Sequence, residues 1–354
     1  MSEGLDRLVS FLENHLGKPL LFNDLIEPLQ INRGTLLKYV QALKSKGYII
    51  DFDGSEGLML KEKPSFLQPQ NIQAYLKTNF IGQDLHYFSE ISSGTEKAFN
   101  LAQRYPNVEE PTTPLKKMSK NLAKGGDPFA GNGSVIVYEV GNQEHALWPA
   151  QQTGLNLNSA VVLRPGILPS RGPQIALVAC VALARTIESS TGIRPKLRWP
   201  NELVMEKSKG KEGRTVARIS VTMQSNVEKI NFIILGFAVN LNGLPEDLEN
   251  NQNQNIASLR SVSGKIINRP QFAAALFREL EKWYVVYINK GCEKIIRELG
   301  QFFSYDKKPV QLKIGNETFS GVIEGLDFDG SLMLRNASGE IQHIAPGNIA
   351  YSPR

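Results

Sequence analysis

The run INFIILGFAVNLN, residues 230–242, constrains this chain more than any other stretch. It is almost unbroken in apolar character, so it reads as a central strand covered on both faces. Such a strand needs partners on both edges and packed layers above and below. The flanking sequence supplies them. HYFSEI (86–91), SVIVYEV (134–140) and LNSAVVLRP (157–165) read as strands. LRWPNELVM (197–205) reads as a strand paired with RTVARISVTM (214–223) through the turn EKSKGKEG. Glu96 to Arg104 reads as helix. Apolar residues recur at helical spacing in 172–190 (Ile175, Ala179, Leu183, Ile187) and in 270–290 (Phe272, Leu276, Leu280, Trp283). This mixture predicts an α+β fold.

With 354 residues the chain is too long for one compact core. Residues 5–17, 22–29 and 34–48 read as three helices, the third started by Asn32 as N-cap, and YIIDFDGSEGLML adds two short strands around a turn. Three helices and a hairpin predict a winged helix-turn-helix over 1–63. Residues 64–70, proline-bearing and poor in apolar residues, are expected to be a linker, and 71–306 a central α+β domain. The stretch 307–354 alternates short strands with Gly and Asn turns and predicts a small SH3-like β-barrel. Residues 105–133, rich in Pro, Lys, Gly and Asn, predict a long exposed loop, either functional or partly disordered.

Composition excludes several classes. No apolar run approaches the roughly 18 residues of a membrane span, so no membrane partner is expected. The N-terminus lacks the charged and apolar regions of a signal peptide, which predicts a cytoplasmic location. Cys180 and Cys292 read as buried thiols. His15, His86, His145 and His343 have no ligand spacing, so zinc is not expected. A net charge of +5 permits nucleic-acid binding without demanding it.

In the third helix, Asn32, Arg33, Thr35, Lys38, Tyr39 and Gln41 are the candidates for operator DNA. Arg33 suits guanine and Gln41 adenine, while Thr35 and Lys38 suit phosphate. The bland alternative is the solvated face of a helical bundle. Asp51, Asp53 and Glu56 make the hairpin acidic, where DNA-contacting wings are commonly basic.

The domain order and several motifs together resemble the bifunctional biotin protein ligase/biotin operon repressor family. INRGTLLKYV resembles its recognition helix, RWPNEL its Lys-Trp-Pro-Asn-Asp signature, LGFAVNLN its Gly-x-Gly-x-Asn strand, and GVIEGLDFDGSLMLRNASGEIQHIAPGNI its end domain. The resemblance implies a class II synthetase-like central domain that joins biotin to ATP and passes it to a biotin carboxyl carrier-type domain. It implies biotin-side residues at Ser93, Gly94, Thr95 and Trp148. It places Asn201 and Glu202 beside nucleotide and magnesium, with Glu202 as the metal ligand, and Gly236 and Asn240 on the strand that follows.

The chemistry gathers negative charge and calls for cations. Here the sequence departs from the family. Where the family has an arginine-rich loop, this chain has GNQEHAL (141–147), without Arg or Lys. The lysine of Lys-x-x-Gly-Ile-Leu becomes Thr215, with Arg214 one place away, and its glycine becomes Arg218. If Arg218 points inward it fills the pocket or pairs with an acid such as Glu202. Gly94 replaces a threonine, and Ala238 a glycine.

The expected function is a DNA-binding transcriptional regulator, a homodimer paired through its central sheets, whose ligase-like domain senses biotin or a biotin-like molecule and has lost adenylation. Two alternatives stay open. One is an active ATP- and magnesium-dependent ligase/repressor using Arg214 and Arg218 as catalytic cations. The other is a non-catalytic protein-interaction module.

Overall fold

The computed structural model describes residues 3–53, 57–104, 132–141, 154–205, 213–243, 255–303, 309–314, 317–345 and 349–353. The first unit runs α1 (Glu3–Asn14), β1 (Pro19–Leu21), α2 (Phe22–Leu29), α3 (Arg33–Ser45), β2 (Ile49–Asp53) and β3 (Gly57–Glu62). Asn32 caps α3 as expected, its side-chain oxygen accepting from the Thr35 N–H at 2.8 Å. Strand β1 was not anticipated: three residues are too few to show alternation, yet they extend the hairpin to the order β1-β3-β2. Leu8, Leu12, Leu25, Leu36, Leu43 and Leu58 form the centre of this unit's own core.

The expected linker is strapped down instead of free. Leu67 is fully buried in the main core, and helix α4 (Pro69–Gln73) begins before the expected domain boundary. The reason is electrostatic. Glu139 and Arg269, with side chains 0% and 1% exposed, form an ion pair at 2.5 Å. Glu139 also accepts from the N–H groups of Leu67 and Gly154, each at 3.1 Å. Arg269 donates to the carbonyls of Ser65 at 2.7 Å and Asn156 at 2.6 Å. A buried pair persists only when its remaining donors and acceptors are satisfied, and residues 65–67 help to satisfy this one.

The central sheet has seven strands in the order β4-β5-β6-β10-β9-β8-β7. They are β4 (Leu85–Ile91), β5 (Val135–Gly141), β6 (Leu157–Leu163), β7 (Lys196–Arg198), β8 (Glu202–Met205), β9 (Arg214–Ser225) and β10 (Ile230–Val239). Only β4 and β5 run parallel. The apolar run that begins at Ile230 is interior to the sheet, its strand β10 flanked by β6 and β9. One face carries Val137, Val161, Leu235 and Ile219 into the main core. Helices α6 (Gln174–Thr191) and, after α7 (Leu259–Ser263), α8 (Arg269–Lys290) pack into that core. Helix α5 (Gly94–Gln103) covers part of the other face, over Ile136, Ala160, Val162 and Ile234.

LRWPNELVM is not one strand. It breaks at a cis Trp199–Pro200 bond into β7 and β8, which pair antiparallel with Arg198 opposite Glu202. Beyond α9 (Glu293–Leu299) comes a five-stranded sheet in the order β14-β13-β12-β11-β15. Its strands are β11 (Pro309–Ile314), β12 (Glu317–Leu326), β13 (Leu332–Arg335), β14 (Ile341–Ile344) and β15 (Ile349–Pro353). Leu312, Leu332 and Leu334 join the main core, so this sheet is fused to the central one. The indole N–H of Trp199 donates to the Gly330 carbonyl at 3.3 Å across the seam. No helix among the described residues is long and apolar enough to cross a membrane.

Candidate functional site

Side chains alternate across a sheet, so register decides which polar groups meet. The pairings align Phe88, Tyr138, Asn158, Ala238, Arg218, Glu202 and Arg198 in one row across all seven strands, on the face that α5 covers only in part. The next row contains His86, Ile136, Ala160, Gly236 and Ser220. Glu202, Arg218 and Gly236 lie on these rows, with Thr95 and Thr215 beside them.

At one end stands the start of α5. Ser93 is its N-cap, accepting from the Glu96 N–H at 3.2 Å. Gly94 lies against the Tyr138 ring so closely that an added Cβ would come within 2.2 Å of it. Burial holds the Tyr138 hydroxyl above its ordinary pKa. Thr95 reaches over β10: a Cβ on Gly236 would lie 3.6 Å from its Oγ1 and 2.3 Å from the Ser220 hydroxyl. The floor between α5 and β9 is therefore made of small residues, Gly236 and Ala238.

At the other end is a charge cluster. The Arg218 Nε donates to Glu202 Oε1 at 2.7 Å, and its Nη2 contacts the same oxygen. Glu202 Oε2 faces Arg198 Nη1 at 3.2 Å and the Thr215 hydroxyl at 3.4 Å. Arg198 also donates to Thr215 Oγ1 at 3.2 Å and to the Gly213 carbonyl at 3.1 Å. Of the two alternatives open to Arg218, filling the pocket or pairing with an acid, the structure has the pairing with Glu202. Arg198 was missed by the sequence reading. Its signal was the alternation that puts it in phase with Glu202 once the Trp-Pro step is read as a turn.

Magnesium at Glu202, implied by the family resemblance, does not fit. A hard cation needs free carboxylate oxygens. Here both oxygens already face guanidinium groups. Among the described residues no group of three or more His, Cys, Asp or Glu side chains is arranged to hold a metal.

Other expected residues take structural duties. The Asn201 amide donates to the Ile219 carbonyl at 2.7 Å, bracing the turn between β7 and β8. Asn240 is 1% exposed and its Oδ1 accepts from the Gly243 N–H at 3.2 Å, so it closes a turn and does not reach the open face. Arg214 starts β9 opposite Met205 and takes no part in the Glu202 cluster. Trp148, residues 142–147 of the arginine-poor loop and most of 105–133 lie outside the described residues.

In α3, Arg33, Lys38 and Gln41 are exposed. Several of the six DNA candidates are engaged within this unit. Asn32 spends its side chain on the cap, and Tyr39 packs at Gly4 of α1, where an added Cβ would lie 2.9 Å from its hydroxyl. Arg33 lies over the Phe22 ring at 4.9 Å. Lys61 pairs with Asp51, which offsets part of the expected acidity of the hairpin; its tip lies outside the described residues.

Known proteins match along most of this chain. Residues 308–350 match the family model for the biotin protein ligase C terminal domain. The bifunctional ligase/repressor BirA of Bacillus subtilis is 26% identical over 313 residues, 88% of each chain. That of Escherichia coli is 24% identical over 197 residues, 56% of this chain and 59% of its own. Among solved structures, biotin protein ligase from Aquifex aeolicus, in complex with biotin and ATP, superimposes with a TM-score of 0.55 at 16% identity, over 77% of this chain and all of that one. The last likeness establishes a shared mixed α+β fold. Together with the C-terminal match and the BirA relatives, it makes the chain similar to biotin protein ligases and ligase/repressors along most of its length.

Proposed function

We propose that this chain is a DNA-binding regulator whose ligase-like face holds biotin or a biotin-like acid and no longer adenylates it. The observation that carries this is Glu202, whose two oxygens face Arg218 and Arg198 in place of a metal. The sequence adds a second deficit, since GNQEHAL brings no cation to the place where the family keeps its arginines. Losing one such charge-stabilising donor typically costs 10²–10³ in rate, roughly 3–4 kcal/mol.

On this reading residues 1–63 form a winged helix-turn-helix, 71–306 the ligand domain and 307–354 an SH3-like barrel. Arg33, Lys38 and Gln41 face the major groove. A two-fold operator calls for two reading heads, so the chain acts as a homodimer. Ser93, Thr95, Gly236 and Ala238 line the ligand side.

A second reading is an active biotin–[acetyl-CoA-carboxylase] ligase and repressor, favoured by the names of the relatives. One experiment separates the two. Full-length protein is incubated with biotin, ATP and a biotin carboxyl carrier domain, and in parallel with DNA from upstream of its own gene. The regulator reading expects a mobility shift of the DNA and an unlabelled carrier. Biotin-dependent conversion of ATP to AMP overturns it.

A further inference from the structure

In the row Arg198, Glu202, Arg218 one carboxylate stands between two guanidiniums. We infer that this row is an anion-binding subsite that works without a divalent cation. The inference rests on the ligand-binding reading above and names the chemistry of one end of the ligand.

Three observations carry it. First, the carboxylate is closed to metal. A cation placed on Glu202 would compete with Arg218 at Oε1, or with Arg198 and Thr215 at Oε2, and would sit close to positive guanidinium charge in either place. Second, Arg218 is held but not used up. Its Nε and Nη2 are on Glu202, its side chain is 44% exposed, and its Nη1 has no protein partner among the described residues. A guanidinium pinned along one edge gives up little freedom when its other edge takes a carboxylate or phosphate oxygen. Third, its row neighbour on β10 is small, Ala238, while the space over Gly236 two residues earlier is taken by the Ser220 and Thr95 side chains. Arg198, tied to the Gly213 carbonyl, holds Glu202 from behind. Arg218 thus brings to this face the positive charge that a metal would otherwise supply. The ligand it selects is a small molecule with an anionic oxygen, either a free carboxylate or a phosphate.

The test uses the full chain. Manganese is titrated by electron paramagnetic resonance. Thermal shift is measured with biotin, AMP and inorganic phosphate, each in EDTA and again in magnesium. The expected result is no stoichiometric manganese site in the wild type, and a stabilising shift by at least one anion that is equal in both buffers. Arg218→Ala should weaken that anion at least tenfold and free Glu202 for manganese. A response to biotin alone identifies the carboxylate, and a response to AMP or phosphate identifies the phosphate. The inference is overturned by a shift that requires magnesium, by wild-type manganese binding that Glu202→Gln abolishes, by an anion shift indifferent to Arg218→Ala, or by no shift with any of the three. The wild-type arms decide the matter even if the variant fails to fold. Carrier labelling and DNA binding are read separately, so this inference and the regulator reading fail independently.

Discussion

Individual side chains carry two kinds of charge pair here, and their environments separate them. Glu139 and Arg269 are shut away from water. Burial pulls the arginine below its ordinary range while the carboxylate beside it pushes back. Removing one partner strands the other, so Arg269→Met should cost about 3–5 kcal/mol in chemical denaturation, and adding Glu139→Leu should recover much of it. His86 and Asp84, 3.0 Å apart and half-exposed, behave differently. The short polar contact with Asp84 raises the histidine above its reference value of 6.5 against the effect of burial. The same contact, with help from Ser134, holds Asp84 low. A raised histidine contributes fully below the unfolded value and loses its contribution as pH climbs through the folded one. The stability gap between wild type and His86→Gln should therefore narrow as pH rises through the folded-state value, and an NMR titration should place the His86 transition above 6.5.

Among the elements, helix α5 is the one whose seat matters most. Gly94 leaves space for the Tyr138 ring, and Gly94→Ala drives a methyl into it. Overpacking of this kind costs about 1–3 kcal/mol. The penalty should shrink in a Tyr138→Ala background, which a double-mutant cycle checks. Elements also show what the sequence could and could not reveal. Helices α3, α6 and α8 were legible because they are long and periodic, with Asn N-caps before α3 and α8 and Gly192 closing α6. The interior position of β10 was legible because it is apolar on both phases. The division of LRWPNELVM was not, because β7 and β8 are three and four residues long, too short to display a period. The strap at 64–70 was missed for another reason. Its polar composition looked like solvent, while its anchor, Glu139, lies far along the chain. A signal was present: Glu139 shares the phase of Val135 and Val137, and a charge on the core side of a strand demands a partner. At the candidate site the sequence left Arg218 two roles, filling the pocket or pairing with an acid such as Glu202, and did not single out Arg198.

The whole molecule is less modular than its sequence texture suggests. The expected boundary at 306 cuts through a shared core, since Leu312, Leu332 and Leu334 pack with the central residues. The Gln174 amide reaches the Asp329 carbonyl at 2.9 Å, and Gly330 lies against Leu177. A chain ending at residue 306 should therefore melt at lower temperature, with red-shifted tryptophan fluorescence as the Trp199 side chain meets water. Retention of both properties would mean that the C-terminal sheet contributes little to the central core.

The bond from Trp199 to Gly330 has a consequence for remote control of affinity. Arg198 and Glu202 sit on either side of the hairpin bend, and that bend hangs from the final fifty residues like a latch from its frame. Gly330 has a φ of +91°, and a Cβ there would come within 2.2 Å of Leu177. Gly330→Ala should consequently twist the latch and loosen the grip on an anionic ligand from a position with no access to that ligand, an effect that ligand-titrated thermal shift would register.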